Sequence, residues 1–177
     1  MAKIHGIELK GIKTFRDHEG ASIAQGNIYV EGKKVGEWSQ DSWGGPDIYR
    51  MSNGYSERAF CDAVKKVHPQ TKKFDKFEIE YDLDILMGEL LELTNEEKDY
   101  KKFVKSGYPT LCTISDGCVS ISWGLRSTNG LTESLKSKLL AEAQKNGIRT
   151  DSATISLKTS LADFIVGDPI RLADIKA

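Results

Sequence analysis

The 177-residue sequence is poor in the residues that build metal and nucleophile chemistry, with three cysteines (Cys61, Cys112, Cys118) and three histidines (His5, His18, His68). An odd cysteine count leaves no second cysteine pair to make a zinc site, and no histidine has a partner at metal-ligand spacing. Asp17-His18-Glu19-Gly20 offers oxygens and a ring nitrogen, but an exposed polar turn accounts for it equally. Cys61 and His68 lie nearly two turns apart on one expected helix, too far for a thiol and its base to touch. No Gly-rich loop matches a P-loop or a dinucleotide fingerprint, and no Gly-x-Ser-x-Gly elbow occurs. No catalytic residue, cofactor or metal is therefore expected.

Long hydrophobic runs are missing too. Nothing approaches the roughly 18 apolar residues of a membrane span, and the N-terminal Met-Ala-Lys-Ile-His-Gly lacks the apolar stretch of a signal peptide. A cytoplasmic protein with no membrane partner is the expectation. A formal net charge of −1 leaves no global field favouring nucleic acid or anionic lipid.

With 39% apolar and 29% charged residues, the composition suits a globular chain able to bury a core. The expected fold class is α+β, a β-rich N-terminal meander followed by helices packed on a small antiparallel sheet. Residues 1–55 hold nine of the sixteen glycines, with short alternating runs such as Ile7-Glu-Leu9 and Asn27-Ile-Tyr-Val30. Gln25 to Trp38 reads as a hairpin turning at Glu31-Gly32-Lys33-Lys34, by either a two- or a four-residue loop. Ser56 caps a helix with Phe60, Ala63, Val64 and Val67 on one stripe, stopped before Pro69. Texture changes near residue 70, giving a β-rich lobe over 1–69 and an α+β lobe over 70–177, or one continuous domain.

Phe74 to Tyr81 alternates as a strand. Asp82 caps a helix with the stripe Leu83, Leu86, Met87, Leu90, and Thr94 with Glu97 forms a capping-box pattern that restarts the chain as a second helix, ended by Gly107. Ser115-Asp-Gly-Cys118 reads as a two-residue hairpin turn, pairing Ile114 with Val119 and Cys112 with Ile121. Cys112 then lies on the apolar face and Cys118 on the other, which excludes a disulfide between them. A helix from Leu131 to Asn146 covers that apolar face, and a strand over 154–158 and Phe164-Ile-Val166 close the chain.

Three patches are candidate sites. Trp38, Trp43, Tyr49 and Tyr55 with the Gly44-Gly45-Pro46 kink offer an aromatic recognition surface; the alternative makes Trp38 and Tyr49 core residues with Trp43 alone exposed. From Glu78 to Asp99 the chain has nine acidic residues and a single Lys98. Glu89, Glu92, Glu96 and Glu97 would line a helix face that imitates a nucleic-acid backbone, or simply the solvated side of an amphipathic helix. Lys65, Lys66, Lys72, Lys73 and Lys76 with Lys101, Lys102 and Lys105 give the opposite reading, a phosphate-contacting patch.

Gly11-Ile-Lys-Thr-Phe-Arg-Asp-His-Glu-Gly20, Asn27-Ile-Tyr-Val-Glu-Gly-Lys-Lys-Val35 and Asp41-Ser-Trp-Gly-Gly45 together resemble small accessory proteins of phages, prophages and plasmids. The resemblance implies a setting in which such proteins bind host factors, bacterial defence machinery included. The expected function is a non-enzymatic binding protein of a phage or mobile element, an inhibitor of a defence system such as a CRISPR effector nuclease. Its partner would be that host nuclease or its nucleic-acid complex, occluded through the Trp43 loop, the acidic helix face, or both. The alternatives are a protein that sequesters a small nucleotide signal and one that binds nucleic acid directly through the lysines.

Overall fold

Five strands lead the chain: β1 (Lys3–Ile4), β2 (Ile7–Arg16), β3 (Ser22–Val30), β4 (Lys33–Ser39) and β5 (Ile48–Met51). Helix α1 (Glu57–Val67), the ribbon of β6 (Thr71–Phe74) and β7 (Phe77–Glu80), and helix α2 (Leu83–Lys105) follow. Then come β8 (Thr110–Ser115), β9 (Ser120–Leu125), α3 (Glu133–Lys145), β10 (Thr154–Lys158) and β11 (Ile165–Val166). The fold is α+β. This computed structural model describes residues 1–68, 71–74, 77–116, 119–127 and 130–177, without the side chains of 72–74 and 77.

The chain divides into two compact units. The first holds residues 1–72, 78–94 and 165–177; the second holds 73–77 and 95–164. Both are discontinuous in sequence, so no single boundary near residue 70 separates them.

The first unit is built on a six-stranded sheet in the order β11-β1-β2-β3-β4-β5. All neighbours are antiparallel except β11, which returns from the far end of the chain to pair parallel with β1. The β3–β4 hairpin pairs Val30 with Lys33, so its loop is the two-residue Glu31-Gly32. Both residues have positive φ, 48° and 76°, the backbone whose twist matches the flanking strands. What reads in sequence as several short strands is one ten-residue β2, interrupted by a bulge between Lys10 and Lys13.

Alternation sorts the sheet into two faces. Ile7, Leu9, Ile28, Val30, Val35 and Trp38 are buried on one of them. Phe60, Ala63 and Val64 of α1 and Leu86, Met87 and Leu90 of α2 are buried too. The Ser56 hydroxyl accepts from the Ala59 amide and starts α1 as its sequence requires. The C-terminal residues close this unit, Ser56 N–H donating to the Ile175 carbonyl and Ile170 N–H to that of His5.

One sequence expectation fails along α2. No break occurs at Thr94: the helix is continuous, and the buried Thr94 hydroxyl donates to the Leu90 carbonyl one turn back instead of capping a new helix. Asp82 does cap the start, accepting from the Ile85 amide. Gly107, at φ 83°, ends it, with Tyr108 N–H donating to Phe103 and Gly107 N–H to Val104, a left-handed terminus that suits glycine.

The second unit has the antiparallel sheet β10-β8-β9. One face carries Cys112, Ile114, Ile121, Trp123 and Ile155, and α3 covers it with Leu135, Leu139 and Ala143. On the other face Phe103 and Tyr108 press against Gly124. The β8–β9 register differs from the expected one: Ile114 opposes Ile121 and Cys112 opposes Trp123. Asp116 closes the turn, its amide donating to the Val119 carbonyl and its carboxylate accepting from the Val119 amide. The slip is two residues, which preserves the faces and so was invisible to the apolar pattern. Val119 stands outside the ladder, and Cys118, on which the disulfide argument turned, lies outside the described residues.

Candidate recognition face

Trp43 is the side chain that stands out. It is 79% exposed, whereas Trp38 is 1% exposed. A bulky indole left in water forgoes roughly 2–3 kcal/mol of burial, yet the loop that carries it is well fixed. The Asp41 carboxylate accepts from the amides of Trp43 (3.1 Å) and Gly45 (2.8 Å). Gly44 takes φ 74°, a backbone that favours glycine. Gly45 does not share that φ; a Cβ there would sit 2.9 Å from an Asp41 carboxylate oxygen, so it is small for proximity.

The base of the loop is tied from below. Trp38 Nε1 donates to Asp47 (2.6 Å), the Asp47 amide donates to Asp84 (3.1 Å), and the Tyr49 hydroxyl donates to the same Asp84 carboxylate (2.9 Å). Burial pushes the Asp47 carboxyl above the ordinary aspartate range, partly offset by the Trp38 bond, and nearby Asp84 adds to the rise. Burial, then the Asp84 hydrogen bond, likewise pushes the Tyr49 phenol far up, so it remains a donor. Trp38 and Tyr49 are therefore struts of the loop and not walls of an open aromatic groove. Trp38 lies on the inner face of the sheet because it opposes Gly26 and Tyr49 across the ladder.

The residues that do accompany Trp43 come from elsewhere. The His18 ring lies 4.0 Å from the indole, tilted by 34°. Its turn is set by Asp17, whose carboxylate accepts from Glu19 and Ala21 amides. Phe15 and Ile48, each 45% exposed, line the same hollow of about 430 Å³ as Trp43 and His18. Beside it runs a more polar groove of about 350 Å³, lined by Lys13, Gln25, Asn27, Glu37, Ser39 and Arg50 among others. The two hollows share Gln25, Ser39 and Ile48. Register explains this: Lys13, Gln25, Ser39 and Ile48 oppose one another across four strands, and Asn27, Glu37 and Arg50 form the next row on the same face. Ile48, Lys13 and Arg50 carry no local sequence signal and reach the face through this register; Phe15 follows Lys13 on the same face of β2, and His18 comes from the β2–β3 turn.

The acidic helix face is thinner than expected. Glu97 is buried at 3% exposure and pairs with Lys101 at 2.8 Å, so it does not join the solvent face. Glu89 is half-buried and accepts from the Tyr81 hydroxyl at 2.6 Å. Glu92 is exposed and Glu96 half-buried. The lysine patch fares similarly. Lys65 pairs with Glu80, Lys101 with Glu97 and Lys102 with Asp99, leaving Lys66 and Lys105 exposed and without an ion pair among the described residues. Lys65 and Lys66 belong to the first unit and Lys101, Lys102 and Lys105 to the second. Lys76 and the side chains of Lys72 and Lys73 lie outside the described residues.

Cys61 and Cys112 are free thiols, and burial raises both above the ordinary thiol range. Among the described residues no group of three His, Cys, Asp or Glu side chains is placed to hold a metal ion, and no helix is long and apolar enough to cross a membrane. The sequence matches no protein-family model, and no curated protein or solved structure matches it.

Proposed function

We propose that this chain is a non-enzymatic binding protein that docks on a protein partner through the Trp43 end of the six-stranded sheet. The observation that carries the reading is an indole 79% exposed on a backbone pinned by Asp41 and Gly44. An aromatic anchor held in place before binding contributes area without paying for ordering, the property that makes tryptophan dominate interface energetics. Phe15, Ile48 and His18 surround it with further apolar and stacking surface, and a polar rim follows along the sheet.

The finer reading, an inhibitor of a bacterial defence nuclease encoded by a phage or mobile element, rests on the resemblance of residues 11–45 alone. Within it, the Trp43 face replaces the acidic helix as the contact surface, because Glu97 and Glu89 are already engaged inside the fold. Capture of partners from bacterial lysate with tagged wild-type protein and with Trp43→Ala tests the reading. A stoichiometric partner retained by the wild type and lost by a folded Trp43→Ala variant supports it; retention by both removes the loop from the account.

A further inference from the structure

We infer that the polar groove beside Trp43 is a binding site for a mononucleotide, with the phosphate between Lys13 and Arg50 and the base against Trp43. The inference does not rest on the protein-partner reading: the two share Trp43, but this one adds the polar groove and concerns a different ligand class.

Lys13 on β2 and Arg50 on β5 enter one groove from opposite sides. Both are exposed, and neither makes an ion pair among the described residues. The groove also holds one carboxylate, Glu37, but Lys34 already pairs with it at 2.7 Å. Glu37 also attracts Arg50, which opposes it across the ladder, so the groove's two cations exceed its one anion by a single charge. Between them stand the side chains of Gln25, Asn27 and Ser39, which both donate and accept. A guanidinium and an ammonium flanking a polar floor match the oxygens of a phosphate, which Arg engages as a fork and Lys as a point charge.

The second half of the site is aromatic. The groove continues, through the shared Gln25, Ser39 and Ile48, into the hollow beneath Trp43. His18 packs against Trp43 at a tilt of 34°, and with 79% of the indole still accessible, a planar ring has room to lie on it. Base–aromatic stacking contributes about 1–3 kcal/mol and tolerates any base. A ligand that is flat and apolar at one end and anionic at the other spans both halves. Their volumes of about 350 and 430 Å³ lie in the range of small-ligand pockets.

The test is a titration of the full chain with adenosine monophosphate, adenosine and inorganic phosphate, following tryptophan fluorescence and thermal melting. Trp43 is the one highly exposed indole, so stacking is expected to change its emission. Adenosine monophosphate should bind and raise the melting temperature by mass action. Adenosine should bind at least tenfold more weakly. The double variant Lys13→Ala/Arg50→Ala should bind the monophosphate about tenfold more weakly while leaving adenosine unaffected, and Trp43→Ala should weaken both. No response to millimolar monophosphate overturns the inference, and so does monophosphate binding that is indifferent to Lys13→Ala/Arg50→Ala. A thymidylate oligomer binding more than a hundredfold more tightly, with steep salt dependence, overturns it in favour of single-stranded nucleic acid. Lys13→Ala/Arg50→Ala also separates the two readings, because loss of nucleotide with retained partner capture leaves the protein-docking proposal standing.

Discussion

Replacing Trp38 with Phe removes one hydrogen-bond donor and part of a ring from the strut beneath the Trp43 loop. The lost bond is 2.6 Å long and ends on the Asp47 carboxylate. Hydrogen bonds to charged groups contribute about 1.5–3 kcal/mol, and leaving the acceptor unsatisfied costs its desolvation. Trp38 is 1% exposed, so the missing pyrrole leaves a void; as a fraction of the 3–5 kcal/mol of a full Trp→Ala truncation, that adds about 1 kcal/mol. The expected loss is roughly 2–4 kcal/mol, or a fall in Tm of roughly 5–15 °C for a chain of this size. Far-UV circular dichroism is the right probe, because the substitution itself alters tryptophan emission. A cycle with Asp47→Ala, which removes the acceptor, locates the effect, with a coupling of about 1 kcal/mol or more expected between the two positions. A Trp38→Phe protein that melts within about 2 °C of wild type, or additive variants, would refute the strut.

The Asp47 carboxyl gives a pH prediction of its own. Its raised pKa means the folded state holds a proton that the unfolded state has already released. Its contribution is therefore greatest below the ordinary aspartate range and is lost as pH rises through the folded pKa. Asp47→Asn keeps an acceptor for Trp38 and removes this loss, so its stability relative to wild type should increase from acid to neutral pH in denaturant titrations; a difference constant across pH contradicts the assignment. Gly124→Ala would place a Cβ 2.5 Å from the Phe103 ring and 2.9 Å from Tyr108 Cβ. The expected cost is about 1–3 kcal/mol of overpacking, seen as a lowered urea midpoint, and an unchanged midpoint would mean that the ring moves aside freely.

How far the sequence carried depended on the range of the interaction. The Ser56 cap and the glycine stop at 107 are local chemistry, and each stands where its residues place it; the place of the β3–β4 turn was legible in the same way, but its two-residue register was not. Thr94 failed because the capping-box pattern with Glu97 says nothing of burial; once inside the fold, its hydroxyl is satisfied by Leu90. The β8–β9 slip failed because a two-residue shift keeps every side chain on its face, and the Asp116 hydrogen bonds decide the register. Pairing of β11 with β1 joins residues about 160 apart, with no signal in either two-residue strand. The site was half legible for the same reason. Trp43 and its glycine kink could be read locally, whereas Lys13 and Arg50 reach the face only through cross-strand register and His18 only through the folding of the β2–β3 turn.

Paired capture experiments with Trp43→Ala and Leu161→Ala test the central claim most directly, since Leu161 is an exposed apolar residue of the other unit, at 48%. The account predicts that Trp43→Ala loses the partner that wild type retains, by tenfold or more in affinity, while Leu161→Ala retains it. Equal capture by wild type and Trp43→Ala, or equal loss from both variants, would contradict it.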